Sequence, residues 1–172
     1  MAFGVGTKVV HPCYGAGEIV RIREKSIGEI SHIYYIIEAV VGNMELMVPV
    51  TRAGEVGLRE VAPMLALEQA LGVCSVRPEP DEMENDYRRR KAELGEALKS
   101  GDYAEVAQVA RRLFFRGTSR VLGATDRAML NRAKDLLASE LALAAGSEVE
   151  WAMERVESYL AAMVAEEAQV AS

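Results

Sequence analysis

Residues 5–22, VGTKVVHPCYGAGEIVRI, contain the pattern that decides how the first part of the chain folds. Short runs of β-branched residues are interrupted by Gly and Pro, which is typical of strands joined by tight turns. Two more runs, Tyr34–Ile37 and Met44–Val48, predict further strands, and Gly42-Asn43 between them predicts a two-residue hairpin turn because both residues tolerate positive φ. We therefore expect residues 1–60 to form a small SH3-like or Tudor-like β-barrel.

The remaining chain, residues 61–172, has apolar residues at helical spacing. It predicts a short helix that ends at Gly72, a Pro- and acid-rich linker over residues 76–85, and four helices after the linker. The predicted N-termini of the four helices lie at about Glu84, Asp102, Thr125 and Ser147. The fold class is therefore α+β with two domains, a β-barrel over residues 1–60 followed by an all-α helical bundle over residues 61–172.

Composition points to an ordinary cytoplasmic protein. Half of the 172 residues are hydrophobic, which is enough to bury a core, but no apolar run is long enough for a membrane helix and no signal-peptide pattern is present. The two cysteines, Cys13 and Cys74, lack the spacing of a zinc site or redox pair, and His11 and His32 are isolated. We expect no metal, no cofactor and no membrane partner.

The motifs of catalysis and nucleotide binding are missing as well. No Ser or Cys is paired with a His in a recognisable setting, and neither a GxxxxGK[ST] loop nor a GxGxxG motif occurs. We therefore expect a binding protein with no catalytic residues and no small-molecule substrate.

Charge is segregated along the chain. Residues 87–134 hold twelve Lys and Arg against five Asp and Glu, a net charge of +7, whereas residues 135–172 hold one Arg against eight, a net charge of −7. A basic segment inside an acidic protein can present a local positive face to phosphates. The candidate phosphate contacts are Arg88, Arg89, Arg90, Arg111, Arg112, Arg116, Arg127 and Lys134. The alternative is a solvated surface, and the pattern alone does not decide between them.

Several strings resemble one protein family. VGTKVVHPCYGAGEI, the strand that ends in MVPV, and Val56–Arg59 resemble the amino-terminal module of the CarD/CdnL family of bacterial transcription regulators, a module shared with the transcription–repair coupling factor. Tyr87–Arg90, Lys99–Asp102, Val106–Leu113 and Ser139–Ala144 follow the helical half of the family in order. The resemblance covers residues 3–145.

The resemblance implies two partners and a function. In the family, the edge of the barrel docks onto the β subunit of RNA polymerase by strand addition, and the helical surface meets promoter DNA at the upstream edge of the transcription bubble without reading its sequence. Open-complex stabilisation would follow. The docking residues would be Lys25, Leu46, Met47, Val48 and Pro49, although relatives can have arginines where this chain has Lys25 and Met47.

Tyr87 occupies the position where the family usually has a tryptophan that wedges into the minor groove. A tyrosine ring could serve as a smaller wedge. The alternative is that Tyr87, seven residues before Leu94, packs into the helical core, and the apolar spacing alone favours this alternative. For the protein as a whole, the alternative function is a protein–protein adaptor without direct DNA contact.

Overall fold

The computed structural model describes residues 2–170, and their side chains as far as residue 165. The first third of the chain is an antiparallel sheet with the strand order β4-β3-β2-β1-β5. Its strands are β1 Lys8–His11, β2 Gly15–Ile27, β3 Ile30–Ala39, β4 Glu45–Pro49 and β5 Arg59–Glu60. The prediction of an antiparallel β module is confirmed, with β4 and β5 at the two ends of the strand order. Closure into a barrel stays a prediction.

Strands β2 and β3 form a hairpin that is longer than the sequence pattern indicated. Their register runs from Gly17 opposite Ala39 to Ile27 opposite Ile30, with a bulge at Val20. Residues 21–33 are all exposed, so the hairpin extends beyond the core of the sheet. The exposed half alternates isoleucines with charged residues and has no buried face to give a clear strand signal.

The turn between β3 and β4 has the predicted backbone conformation but a different length. Gly42 and Asn43 have φ values of 88° and 47°, as a turn with left-handed residues requires. The backbone N–H of Ala39 donates to the carbonyl of Met44, so four residues lie inside the turn. The predicted two-residue loop is therefore wrong in length. The positive φ values of Gly42 and Asn43 explain why these two residue types occur there.

The sheet has its own hydrophobic core. The side chains that alternate inward from the strands meet residues of a short helix, α1 Ala53–Val56, and of the segment after it. This cluster consists of Val9, Ile19, Tyr35, Ile37, Val48, Ala53 and Leu58. It contains no residue beyond position 58, so the sheet buries its own apolar face.

The rest of the described chain is helical, as predicted. The helices are α2 Met64–Leu71, α3 Tyr87–Lys99, α4 Tyr103–Ser119, α5 Ala124–Ala145 and α6 Val149–Val170. Asp102 caps α4 through its side chain, as the sequence indicated, and Asp86 caps α3, which begins three residues later than predicted. The predicted cap at Thr125 is wrong, because α5 begins at Ala124 after Gly123.

A second hydrophobic cluster joins the helices. It draws buried side chains from α2 through α6, with fully buried leucines at positions 71, 113, 137, 141 and 160. No helix within residues 2–170 is long and apolar enough to cross a membrane. The two separate clusters agree with a two-part fold, and the division at residue 60 stays a prediction.

The sheet and the helices meet along β2 and α5. Arg59 donates two hydrogen bonds to the carboxylate of Glu140, at 2.7 and 2.9 Å, and Glu140 is only 2% exposed. The backbone N–H of Ala16 donates to the hydroxyl of Ser139 at 3.1 Å. A Cβ atom on Gly15 would lie 2.9 Å from the same hydroxyl, which explains the glycine at this position. These contacts hold one orientation between the two parts.

Candidate interaction surfaces

The outward face of α3 carries three cations and one aromatic ring. Tyr87, Lys91, Gly95 and Lys99 follow one another at a spacing of four residues, so they share one side of the helix. They line a shallow groove of about 580 Å³ whose floor is kept low by Ala92 and Gly95. The groove residues are Tyr87, Arg88, Lys91, Ala92, Gly95, Glu96 and Lys99. This surface is called the α3 face below.

The cations of the α3 face are exposed. Arg88, Lys91 and Lys99, together with the neighbouring Arg89, form no ion pair among the side chains that the structure describes. Their charges therefore remain available to a partner. Arg88 and Arg89 were predicted as phosphate contacts, whereas Lys99 was missed because a lysine at a helix C-terminus is also explained by the helix dipole.

Tyr87 lies at the N-terminal end of this face and does not pack in the core. Its side chain is 50% exposed, so the core alternative is wrong. The hydroxyl of Tyr87 lies 3.1 Å from the hydroxyl of Thr125, in the first turn of α5, and the guanidinium of Arg90 lies 5.9 Å from the centre of the ring. The ring is thus held by its hydroxyl and by a guanidinium over one face, while half of the residue stays exposed.

Arg90 and Arg111 do not belong to an exposed surface, which corrects two of the predicted phosphate contacts. Arg90 is 7% exposed and donates to both carboxylate oxygens of Asp126, at 3.1 and 3.0 Å. Arg111 is 5% exposed; it donates to Glu82 and to the carbonyls of Val76 and Arg77. Buried charges require such partners. Arg90 thereby links α3 to α5, and Arg111 links α4 to the linker.

Arg111 also affects the protonation of its partner, Glu82. Its hydrogen bond holds the pKa of the Glu82 carboxyl below its usual value. Because Glu82 lies in the linker, the same contact fixes the linker against α4.

The remaining predicted phosphate contacts already have partners. Arg112 pairs with Glu93 at 3.1 Å, and Lys134 lies 3.7 Å from Glu157. Arg116 contacts Asp126 at 3.4 Å, and exposed Arg127 donates to the carbonyl of Leu122. The structure thus does not bring the predicted arginines together on one face, because α4 turns most of its cations toward acidic neighbours.

The sheet offers a second surface at the edge strand β4. Met47 is 44% exposed and Val48 is 5% exposed, as expected for alternating side chains, while Leu46 and Pro49 are half-buried. The backbone of β4 pairs with β3 on one side. Lys25 is exposed and lies within β2 opposite His32, two residues before the end of the strand and not in the turn itself.

The strand register reveals two cations that the sequence analysis missed. Arg21, Arg23 and Lys25 alternate along β2, so they project from the same side of the hairpin. They pair with Ile36, Tyr34 and His32 of β3, and Ile36 in turn pairs with Met47. Lys25 and Met47 therefore belong to one face of the sheet, which also carries Arg21 and Arg23.

The cysteines and acidic residues add no further site. Burial raises the pKa of the Cys74 thiol to about 12, which makes this side chain a packed, unreactive group. In the described part of the chain, no group of three or more His, Cys, Asp and Glu side chains is placed to hold a metal ion.

These features define a two-part binding protein, in which a sheet with an open edge is fixed to a helical part with a cationic face. Comparison with known proteins agrees: residues 3–62 match the CarD-like/TRCF RID domain, and residues 74–157 match the CarD C-terminal domain. The chain is 31% identical over 144 residues to "Putative transcription factor YdeB" of Bacillus subtilis (strain 168), covering 84% of this chain and 93% of that protein. The chain belongs to the CarD-like family. This family implies a transcription-associated factor that interacts with RNA polymerase and is typically non-enzymatic.

Proposed function

We propose that the protein binds the β subunit of RNA polymerase through the edge of its sheet and promoter DNA through the α3 face. It would thereby stabilise the open complex at the upstream edge of the transcription bubble, in the cytoplasm and without a cofactor. The observation that carries the proposal is the α3 face itself, where three unpaired cations and a half-exposed tyrosine surround a shallow groove.

The α3 face supports contact with phosphates and not with base edges. Arg88, Lys91 and Lys99 lie along about twelve residues of helix, and they flank small side chains that let a partner approach closely. Such contacts add affinity that falls with salt and carries no sequence information. Lysine side chains are long and flexible, so we propose that the α3 face attracts the DNA backbone in general and does not recognise base edges.

Tyr87 supports a contact at an unstacked base step. A flat ring can stack on or wedge against such a step, and base–aromatic stacking contributes ~1–3 kcal/mol per base. The hydroxyl contact with Thr125 gives the tyrosine a fixed orientation that a tryptophan would have to obtain in another way. We therefore propose Tyr87 as a working, smaller wedge.

The sheet edge supports docking by strand addition. Strand β4 has a partner strand on one side, so its other edge is open to a strand of the polymerase lobe. Exposed Met47 would add an apolar contact, and Lys25 and Arg23 would supply positive charge on the same face, where Arg21 is already paired with Glu45 at 2.9 Å. Predicted contacts at Leu46, Val48 and Pro49 would act through the strand backbone, because their side chains are partly or fully buried.

The rigid junction makes the two weak contacts cooperate. Docking of the sheet would place the α3 face at a fixed position near DNA, which raises the local concentration of one contact once the other is made. The ion pair between Arg59 and the buried carboxylate of Glu140 keeps this geometry.

Footprinting of a polymerase–promoter complex, with and without the protein, tests the proposal. We expect added protection at the upstream edge of the bubble, and loss of that protection when Arg88 and Lys91 are changed to Glu. If the protein binds polymerase but leaves the footprint unchanged, the adaptor function without DNA contact is correct.

A further inference from the structure

A cleft of about 520 Å³ lies outside the two surfaces described above, between the linker and the last turns of α4. Arg77 and the linker prolines form one wall, and Phe115, Arg116 and Arg120 form the other. Three of the lining residues are arginines, and Glu79 is the one carboxylate among the lining residues that the structure describes. Arginines therefore outnumber carboxylates along the cleft, in a protein whose net charge is −6.

Behind the cleft, the carboxylate of Asp126 is shared by two arginines. Asp126 already accepts hydrogen bonds from Arg90 with both of its oxygens, and Arg116 reaches the same carboxylate only at 3.4 Å. One carboxylate thus faces two guanidinium groups. Burial, followed by the positive charges of Arg90 and Arg120, lowers the pKa of Arg116.

The side chains around the cleft leave room for an anion. Arg120 is exposed and forms no ion pair among the described residues, and Arg116 makes its second contact with Asn85 at 3.4 Å. The guanidinium of Arg77 lies over the ring of Phe115, 5.2 Å from its centre, which places a third cation at the rim. At the C-terminus of α4, the Ser119 hydroxyl donates to the carbonyl of Arg116, so this carbonyl already has a partner.

We propose that this cleft binds a phosphate group, held by the guanidinium groups of Arg116 and Arg120 with Arg77 at the rim. Arginine is suited to this role because its planar fork donates two hydrogen bonds to phosphate oxygens. The phosphate could belong to a free polyphosphorylated molecule or to the DNA backbone. Neither source requires the α3 face to bind DNA.

Titration of the full-length protein with inorganic pyrophosphate at constant ionic strength is the first test. We expect saturable binding that weakens at least ~10-fold in Arg120→Gln, as loss of a charge-assisted hydrogen bond predicts. Arg120 is exposed, so this variant should keep the melting temperature of the wild type. Arg52→Gln, which removes an exposed cation that lies outside both the cleft and the α3 face, is the control and should bind pyrophosphate like the wild type. No saturable binding, or an equal loss in both variants, would overturn the proposal.

Binding of a forked promoter duplex by the same variants and by Arg88→Gln identifies the source of the phosphate. If Arg120→Gln weakens duplex binding and pyrophosphate competes with the duplex, the site takes a backbone phosphate. If Arg120→Gln loses pyrophosphate but binds the duplex normally, the site takes a free phosphorylated molecule. Failure of the α3 face to bind DNA would show in Arg88→Gln and would leave the pyrophosphate result unchanged, so the two proposals can fail separately.

Discussion

Two neighbouring regions of α3 use the same residue type for opposite purposes. On the α3 face, Arg88 is exposed and unpaired among the described residues, whereas Arg90, two positions later, is buried against Asp126. Two positions correspond to about 200° around a helix, so the two side chains point to opposite sides. Consecutive arginines therefore do not form one surface. Arg90 packs inside the helical part, whereas Arg88 is available to a partner.

The largest effect should come from the buried side of this comparison. In Arg90→Met the carboxylate of Asp126 loses its principal partner while it stays buried, and breaking a buried pair in this way costs about 3 kcal/mol or more. Denaturant unfolding should show that loss in the free energy of unfolding. The control is Arg89→Met, an exposed neighbour, which should change the same quantity by less than about 0.5 kcal/mol. Equal stability of the two variants would mean that Arg90 is not a structural residue.

A smaller effect, confined to docking, is expected at the sheet edge. Met47→Glu places a charge on an exposed edge position, and desolvating it against a polymerase strand should weaken binding of the β-subunit lobe about 10-fold. A binding titration with the purified lobe measures this. Glu substituted for Arg88 should leave lobe affinity unchanged, because α3 belongs to the other surface. Wild-type affinity in a folded Met47→Glu variant would place docking elsewhere.

The smallest effect should come from the hydroxyl of Tyr87. Tyr87→Phe keeps the ring but loses the contact with Thr125, so open-complex lifetime should fall only a few-fold, in line with about 1 kcal/mol for one hydrogen bond. Tyr87→Ala removes the ring and should shorten the lifetime further. Thr125→Val should reproduce the effect of Tyr87→Phe and add little to it in the double variant. Additive effects would show that the hydroxyl contact does not orient the ring.

The fold could largely be predicted from the sequence, since its strands and helices follow local patterns. Alternating β-branched residues marked β2, β3 and β4, and Asp102 marked the start of α4. The exposed end of the β2–β3 hairpin was less predictable. This end of the hairpin has no buried face, so its length depends on strand pairing and not on an alternation of apolar and polar residues.

The site was harder to predict because burial of a cation depends on distant residues. Arg90 and Arg111 are held by Asp126 and Glu82, which lie 36 and 29 residues away in sequence. One local signal was available for Arg90. It lies four residues before Leu94 and eight before Leu98, on the stripe that enters the core. Tyr87, seven residues before Leu94, falls on the same stripe and is nevertheless half exposed, so the spacing alone did not separate the two residues.

Open-complex lifetime across a salt series shows whether the α3 face touches DNA while the sheet docks on polymerase. Arg88→Glu combined with Lys91→Glu should shorten the lifetime and flatten its salt dependence, because about one phosphate contact is lost per cation, and lobe affinity should not change. The matched control is Arg52→Glu, which reverses an exposed cation away from α3. The account is contradicted if the double variant, folded and bound to polymerase, keeps the wild-type lifetime at every salt concentration.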